Sequence, residues 1–186
     1  DPNAGKVTYQ YNALGQLVSQ TDANGNVMQT TYDKAGRILT KTTPEGTTHY
    51  TYNKDELLES VVAPNGTAQY YTYNDKRQIL TAKELINGVY YTTSYEYDNY
   101  GNNTSIIYPS GFTIYMEYTP DGILQSILTA DGTPVWTLDE MNAYGQITEY
   151  MNGNGLKTVQ TFDKYGRINS IVTDDVQNLV YEFDTK

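Results

Sequence analysis

The sequence predicts an all-β protein built as a repeat array of antiparallel β-hairpins. A short motif recurs about every 21 residues along the whole chain, and such periods indicate repeat architectures. Turn signals containing Asn, Asp, Gly or Pro interrupt the chain about every 10 residues. Between them, residue types alternate with the period of two that is typical of strands. Because no segment of 10 residues sustains a helical period of 3.6, helices are not predicted.

Each copy of the motif begins at an anchor residue, and successive anchors are 20 to 24 residues apart. The nine anchors are Tyr11, Tyr32, Tyr52, Tyr73, Tyr97, Tyr118, Met141, Phe162 and Phe183. We predict that the eight aromatic anchors are packing positions that define the repeat, because cross-strand aromatic contacts stabilise sheets. Asn or Asp follows the anchor in eight of nine copies.

A turn is predicted directly after each anchor. Asn or Asp at the start of a turn accepts a bond from its own backbone two residues on, and Gly adopts the positive φ that closes a hairpin loop. The predicted turn glycines, four residues after their anchors, are Gly15, Gly36, Gly101, Gly122, Gly145 and Gly166. Glu56 and Arg77 replace this glycine in the third and fourth copies, so we expect those two turns to differ in shape. At the second corner, we expect Lys34 and Arg37 to be solvated.

Two strands are predicted in every copy. The position six residues after the anchor is apolar in seven of eight copies, and a hydroxyl residue commonly follows two residues later. A second turn, such as Pro44-Glu45-Gly46 or Asn87-Gly88, leads into a strand with alternating aromatic residues. This predicts about 16 strands of about six residues each. Because neighbouring strands twist, we expect a long sheet that coils into a spiral or a partial open shell.

We predict one array of eight to nine units of about 21 residues over residues 1–186. The chain starts at Asp1-Pro2 and stops within another copy, at Phe183-Asp184, so we interpret it as a fragment of a larger protein. A net charge of -10 argues against nucleic acid and anionic membranes as partners. No apolar run approaches the length of a membrane span, and the absence of cysteine excludes disulfides and thiolate metal sites.

The motif Tyr-Asp-x-x-Gly-Arg-Ile, followed by Gly and alternating tyrosines, resembles the YD repeat (Rhs repeat). This repeat is found in Rhs proteins, in the B and C components of toxin complexes and in teneurin YD shells. Residues 32–38 and 162–168 match the motif best. The resemblance implies a β-hairpin spiral that encloses a hollow cocoon, commonly around a C-terminal toxin. Asp1-Pro2-Asn3-Ala4-Gly5 has a look similar to the family's self-cleavage motif, but it lies at the wrong end of the chain, and we assign it no function.

No catalytic residue, metal ligand or cofactor site is predicted. His49 is the only histidine, and its place on a predicted strand favours a sheet-surface side chain over a catalytic triad. The acidic pairs Asp55-Glu56, Asp139-Glu140 and Asp174-Asp175 fall near turns, where acids solubilise the surface. Residues 22–26 resemble the start of a calcium loop but lack the glycine and glutamate that an EF-hand needs, so a hairpin turn is favoured.

Aromatic residues away from the anchors are the candidate ligand-binding residues. The candidates are Trp136, Tyr108, Tyr115, Tyr144 and Tyr165. Aromatic rings can stack on sugars or contact proteins, so these residues would suit a carbohydrate or protein ligand.

We therefore predict a non-enzymatic structural segment of a large bacterial surface or secreted protein. It would form part of a β-shell that encloses or presents a polypeptide cargo, such as a C-terminal toxin. The alternative is an adhesin-type module that binds carbohydrate or protein through exposed tyrosines. Its partners would be the rest of the parent polypeptide, and its free strand edges predict edge-to-edge self-association. The resemblance implies an extracellular or cell-surface location and leaves a cytoplasmic stage before export open.

Overall fold

The computed structural model describes residues 5–184, and that range contains 17 β-strands and no helix. The strands belong to one antiparallel sheet. The predicted all-β class and the array of antiparallel hairpins are therefore confirmed. The strands are four to nine residues long, close to the predicted number and length. Residues 1–4 of the Asp-Pro segment lie outside the described range.

Contacts divide the chain into two compact units, and the boundary in the sequence falls between Ser94 and Tyr95. The first unit contains β1 (Thr8–Tyr11), β2 (Leu17–Thr21), β3 (Val27–Tyr32), β4 (Ile38–Thr43), β5 (Gly46–Tyr52), β6 (Leu58–Val62), β7 (Ala68–Tyr73), β8 (Ile79–Ile86) and the first part of β9 (Val89–Tyr97).

The second unit contains the end of β9 and eight further strands. They are β10 (Asn103–Ile107), β11 (Thr113–Tyr118), β12 (Leu124–Thr129), β13 (Pro134–Met141), β14 (Ile147–Asn152), β15 (Lys157–Phe162), β16 (Ile168–Thr173) and β17 (Gln177–Val180). No helix among residues 5–184 is long and apolar enough to cross a membrane.

Within both units, strands that follow one another in the chain form hairpins with a recurring irregularity beside the anchor. In the β3–β4 hairpin, Tyr32 lies opposite Ile38 while Thr31 lies opposite Thr40. Leu39 is therefore an extra residue, which makes the register shift a one-residue bulge. The same shift occurs at six other anchors: Tyr11, Tyr52, Tyr73, Tyr118, Met141 and Phe162. A bulge of this kind increases the local twist of each hairpin.

The most buried side chains of the described residues are small and mostly polar. They are Ala68, Thr30, Ser60, Ser105, Ser126 and Thr158. Large side chains remain partly exposed because each hairpin packs mainly against its neighbours within the sheet. The backbone ladder and the contacts between successive hairpins must therefore supply much of the stability.

The turns at Glu56 and Arg77 correct one prediction. Both residues adopt a left-handed backbone, with φ of 64° and 66°. The Glu56 N–H donates to the Asn53 carbonyl at 3.0 Å, as the Gly36 N–H donates to the Asp33 carbonyl at 3.1 Å. The expectation of a different turn shape is wrong, because the hydrogen bonds of the turn outweigh the steric cost of a left-handed residue, which is about 1–2 kcal/mol.

Candidate functional site

The turn after each anchor is a corner that the Asn or Asp side chain holds together. In the second copy, one carboxylate oxygen of Asp33 accepts the N–H groups of Ala35 and Arg37, both at 2.9 Å. The Arg37 N–H and guanidinium thereby hold the pKa of Asp33 below its ordinary value, against the opposing effect of partial burial. Bonds to the second and fourth following N–H groups recur at Asn12, Asn53, Asn74, Asp98, Asn142 and Asp163.

The side chain five residues after the anchor completes the corner with matched chemistry. Arg37 donates from Nε to Asp33 at 2.7 Å and pairs with it through Nη2 at 2.6 Å. In three of the four corners that begin with Asn, a Gln oxygen accepts from its amide, whereas Leu57 takes the Gln position after Asn53. The Asn–Gln pairs are Asn12–Gln16, Asn74–Gln78 and Asn142–Gln146. Where the first residue is Asp, the partner is a donor: Arg37, Asn102 or Arg167.

Sequence reasoning missed this pairing, and the expectation that Arg37 is simply solvated is wrong. Lys34 is exposed, whereas Arg37 is half-buried against its partner carboxylate. The available signal was the co-occurrence of the two positions, because Asp33, Asp98 and Asp163 are each followed four residues later by a donor. A bond within the corner explains that co-occurrence.

The anchor tyrosines connect each copy to the preceding one. The Tyr32 hydroxyl donates to the Leu17 carbonyl at 2.8 Å, across 15 residues of sequence. Equivalent bonds join Tyr52 to Ile38 at 3.0 Å, Tyr73 to Leu58 at 2.7 Å and Tyr118 to Asn103 at 2.8 Å. The acceptor is always the residue six positions after the preceding anchor. Burial raises the pKa of the Tyr73 and Tyr118 hydroxyls, so they stay protonated donors.

The corner side chains make a second set of contacts with the following copy. The Arg37 guanidinium carbon lies 4.5 Å from the centre of the Tyr52 ring, and that of Arg167 lies 4.1 Å from the Phe183 ring. Gln146 instead donates to the Gly166 carbonyl at 2.9 Å. The same repeat position therefore both closes its own turn and contacts the next copy.

Hydroxyl groups pair across one face of several hairpins. Thr31 and Thr40 are 2.6 Å apart, and Thr72 and Thr81 are 2.7 Å apart. Thr51–Ser60 and Thr161–Ser170 pair in the same way, and at the equivalent position the Ser126 hydroxyl donates to the Glu117 carboxylate. These are the positions immediately before the anchor and eight residues after it, so the stripe recurs with the repeat.

His49 and Asp174 both lie at positions that strand pairing defines. His49 is exposed on β5 between Thr40 and Val62 of the neighbouring strands. Asp174 accepts the Lys157 N–H at 2.7 Å, which is a strand-end contact. No group of three His, Asp or Glu side chains within residues 5–184 could hold a metal ion.

The structure brings together two of the five candidate ligand-binding aromatics. Tyr144 and Tyr165 both line an open furrow of about 570 Å³ between neighbouring corners. Tyr108 stacks on Phe112 at 6.0 Å. Trp136 is half-buried against the Tyr150 ring at 5.8 Å, and Tyr115 lies on β11 with 44% of its surface exposed.

A repeat position not identified from the sequence explains the furrow. Tyr144 and Tyr165 both lie three residues after an anchor, at the tip of the corner. Tyr100 and Leu14 occupy the same position in their copies and are 91% and 81% exposed. Furrows of about 540 and 520 Å³ adjoin them. Aligning the copies with one another would have revealed this position. The position matters because side chains at the tip of a corner extend into solvent.

Comparison with known proteins places these features in a family. The chain matches the Teneurin YD-shell family model over residues 1–186. It is 31% identical to Teneurin-4 of Homo sapiens over 104 residues, which cover 55% of this chain and 4% of that protein. It is 24% identical to double-stranded DNA deaminase toxin A of Burkholderia cenocepacia strain H111 over 174 residues, covering 77% and 12% of the two chains.

The fold also matches solved structures. The crystal structure of TcdB2-TccC3 without its hypervariable C-terminal region superposes with a TM-score of 0.76 at 17% identity, over 97% of this chain and 11% of that chain. The chain thus spans a small part of each relative. The match over its whole length, together with the repeated corners in which Asn or Asp follows the anchor, shows that this chain belongs to the Teneurin YD-shell family.

Proposed function

We propose that this chain is a non-enzymatic wall segment of a β-shell that encloses or presents a polypeptide cargo. The observation that carries the proposal is the series of tyrosine hydroxyl bonds between successive copies. Each bond joins an anchor to the backbone of the copy before it, as Tyr73 does with Leu58 at 2.7 Å. Such bonds would keep a wall continuous in a sheet whose most buried residues are small.

The names of the relatives support a container role. One relative is a deaminase toxin, and another is the tRNA3(Ser)-specific nuclease WapA of Bacillus spizizenii, which is 33% identical over 114 residues. This chain corresponds to 12% and 5% of those proteins, so most of each relative lies outside the matched segment. The name of the deaminase toxin also supports a location outside the producing cell, on a surface or after secretion.

The chemistry of the wall suits a cargo held without strong sequence preference. In each hydroxyl pair, such as Thr31 and Thr40, one hydroxyl donates to the other, which leaves one donor rather than two for a specific ligand. A net charge of -10 would further disfavour an acidic cargo.

Protease protection in the full-length parent protein tests the proposal. We expect the cargo polypeptide to resist digestion in the native protein. It should become accessible at a lower denaturant concentration when Tyr32, Tyr52 and Tyr73 are all changed to Phe, because three bonds between copies are lost. A matched control changes the exposed Tyr144 and Tyr165 to Phe and should leave protection unchanged. Digestion of the cargo in the native wild-type protein would refute enclosure.

An adhesin-type function is the second candidate, and the exposed tip tyrosines favour it. Tyr144 and Tyr165 are 89% and 70% exposed beside one furrow. A glycan or protein array with the full-length protein should show saturable binding that the Tyr144→Ala/Tyr165→Ala variant loses. Tyr108→Ala, at a ring already packed on Phe112, is the control. Binding that survives the tip changes would count against this site.

A further inference from the structure

The chain contains five Asn-Gly pairs, and one of them differs from the others in its hydrogen bonds. The pairs begin at Asn24, Asn65, Asn87, Asn152 and Asn154. In such pairs, the backbone nitrogen of glycine can attack the side-chain carbonyl carbon of asparagine. Glycine favours this attack because it has no Cβ to obstruct it and moves freely between backbone conformations.

In four pairs the attacking nitrogen is occupied by a hydrogen bond. The Gly25 N–H donates to the Asp22 carbonyl at 3.1 Å, and the Gly66 N–H donates to the Ala63 carbonyl at 3.0 Å. Gly153 and Gly155 donate to the carbonyls of Val135 and Asn152, at 2.7 and 2.8 Å. Each of these bonds must break before the nitrogen can react.

Several of the asparagine side chains are also held. The Asn152 amide donates to the Leu156 carbonyl at 3.0 Å and to the Thr158 hydroxyl at 3.1 Å. The Asn65 oxygen accepts from the Thr67 N–H at 3.0 Å and from its hydroxyl at 2.8 Å. These bonds restrict the rotation that would bring the side-chain carbon towards the glycine nitrogen.

Asn87 and Gly88 form the two-residue turn between β8 and β9, which the Ile86–Val89 pair closes. Their φ angles are 51° and 79°, the backbone signature of a type I′ hairpin turn. Among residues 5–184, neither the Gly88 N–H nor the Asn87 side chain has a hydrogen-bond partner. Both residues are exposed, so only the closing pair of the turn must loosen for the reacting atoms to meet.

We propose that Asn87 is a site of self-modification through deamidation. The Gly88 nitrogen forms a bond to Cγ of Asn87, and the bond from Cγ to Nδ2 breaks. Nδ2 leaves as ammonia with the proton that the Gly88 nitrogen gives up. Water then opens the resulting cyclic imide at either carbonyl, which yields aspartate or isoaspartate at position 87.

The product would change the hairpin. Isoaspartate routes the main chain through the side-chain carbon and adds one backbone atom, so the two-residue loop cannot keep its geometry. Either product also adds a negative charge to an already acidic chain. Deamidation over time would therefore destabilise the first unit at the β8–β9 hairpin.

Peptide mapping by mass spectrometry tests the proposal with the other four pairs as internal controls. The full chain is incubated folded, and in parallel unfolded in urea, at mildly alkaline pH. We expect Asn87 to convert several-fold faster than the other four sites in the folded protein, and the five rates to converge in urea. An isoaspartyl methyltransferase with labelled S-adenosylmethionine should label the folded protein at residue 87, and Asn87→Gln should abolish that label.

Two results would overturn the proposal. One is faster conversion at another Asn-Gly pair in the folded protein. The other is a folded chain that converts nowhere while the unfolded chain converts readily, because the turn would then protect Asn87. Neither result bears on the wall function, which depends on the anchor tyrosines.

Discussion

The anchor tyrosine combines two interactions that separate residues usually provide. At Tyr52, the ring lies 4.5 Å from the Arg37 guanidinium carbon of the preceding copy, and the hydroxyl donates to the Ile38 carbonyl at 3.0 Å. Phenylalanine at Phe162 and Phe183 keeps the ring and lacks the donor. The chain therefore contains anchors with a hydroxyl donor and anchors without one.

Removing one anchor hydroxyl should destabilise the protein measurably. Tyr52→Phe leaves the Ile38 carbonyl without this donor, and we expect a loss of about 0.5–1.5 kcal/mol in the free energy of unfolding, as for a typical hydrogen bond. Urea unfolding followed by circular dichroism measures the change. Tyr144→Phe, at an exposed tip, is the control and should change nothing. An equal effect of both substitutions would contradict the assigned bond.

The corner carboxylates predict a loss of stability in acid. Because the Arg37 backbone N–H and guanidinium lower the pKa of Asp33 in the folded state, its stabilising effect is complete above the ordinary value of 3.8 and is lost as the pH falls through the folded value. The side-chain amide and the backbone N–H of Asn26 likewise lower the pKa of Asp22. Thermal unfolding between neutral and acidic pH measures the effect. The Asp33→Asn/Arg37→Gln variant, which has no group to titrate at this corner, should show a weaker acid dependence.

At the scale of the element, the corner tolerates a left-handed residue other than glycine because several hydrogen bonds hold the same turn conformation. Glu56 and Arg77 are left-handed at a position where six other copies have glycine. The Asn53 side chain still accepts the N–H groups of Asp55 and Leu57, both at 2.9 Å. The turn is therefore fixed by the asparagine, and glycine only relieves its strain.

Replacing the strained residues with glycine should stabilise the corners. For Glu56→Gly and Arg77→Gly we expect a gain of up to about 1 kcal/mol each, since relief of about 1–2 kcal/mol of steric cost exceeds the entropic cost of glycine. Chemical denaturation gives the difference. Asp55→Gly, at an ordinary backbone conformation, should destabilise the protein instead. A loss of stability at all three positions would show that no strain is stored there.

The matched corner pairs predict a rescue. Asp33→Asn alone sets an amide donor against the Arg37 guanidinium, so we expect it to destabilise the hairpin. Adding Arg37→Gln should recover most of this loss, because the Gln oxygen accepts from Asn as in Asn142–Gln146, at 2.8 Å. Additive losses in the double-mutant cycle would refute the pairing rule.

At the scale of the whole molecule, the exposed edge of the second unit predicts self-association. β17 pairs with β16, and its outer residues include Leu179 and Val180, which are 40% and 69% exposed. An apolar strand edge is a template for another strand. We expect concentration-dependent association in sedimentation experiments, weakened by Leu179→Lys. A strictly monomeric profile at high concentration would contradict this prediction.

Local signals explain why the sequence alone predicted so much of the fold. The Asn or Asp after each anchor and the glycine three residues later act within one turn, and the alternation after Gly36 needs only its own strand. These signals predicted the hairpins, their number and the family. The exposure of the ligand-binding candidates does not follow from local signals, because it depends on the neighbouring copy: Trp136 packs on Tyr150, whereas Tyr100 is 91% exposed at a tip.

The sequence by itself determined the repeat, its turns and the all-β class, since the interactions that encode them span fewer than ten residues. Only the tertiary structure decided how copies are joined, because the donors and acceptors of those bonds lie 14 to 20 residues apart. The tertiary structure also decided that Glu56 keeps the common turn and that Arg37 pairs with Asp33. Among the Asn-Gly glycines of residues 5–184, it leaves only the Gly88 N–H without a hydrogen-bond acceptor. These outcomes depend on strand register and on competition for hydrogen-bond partners, which a linear motif does not record.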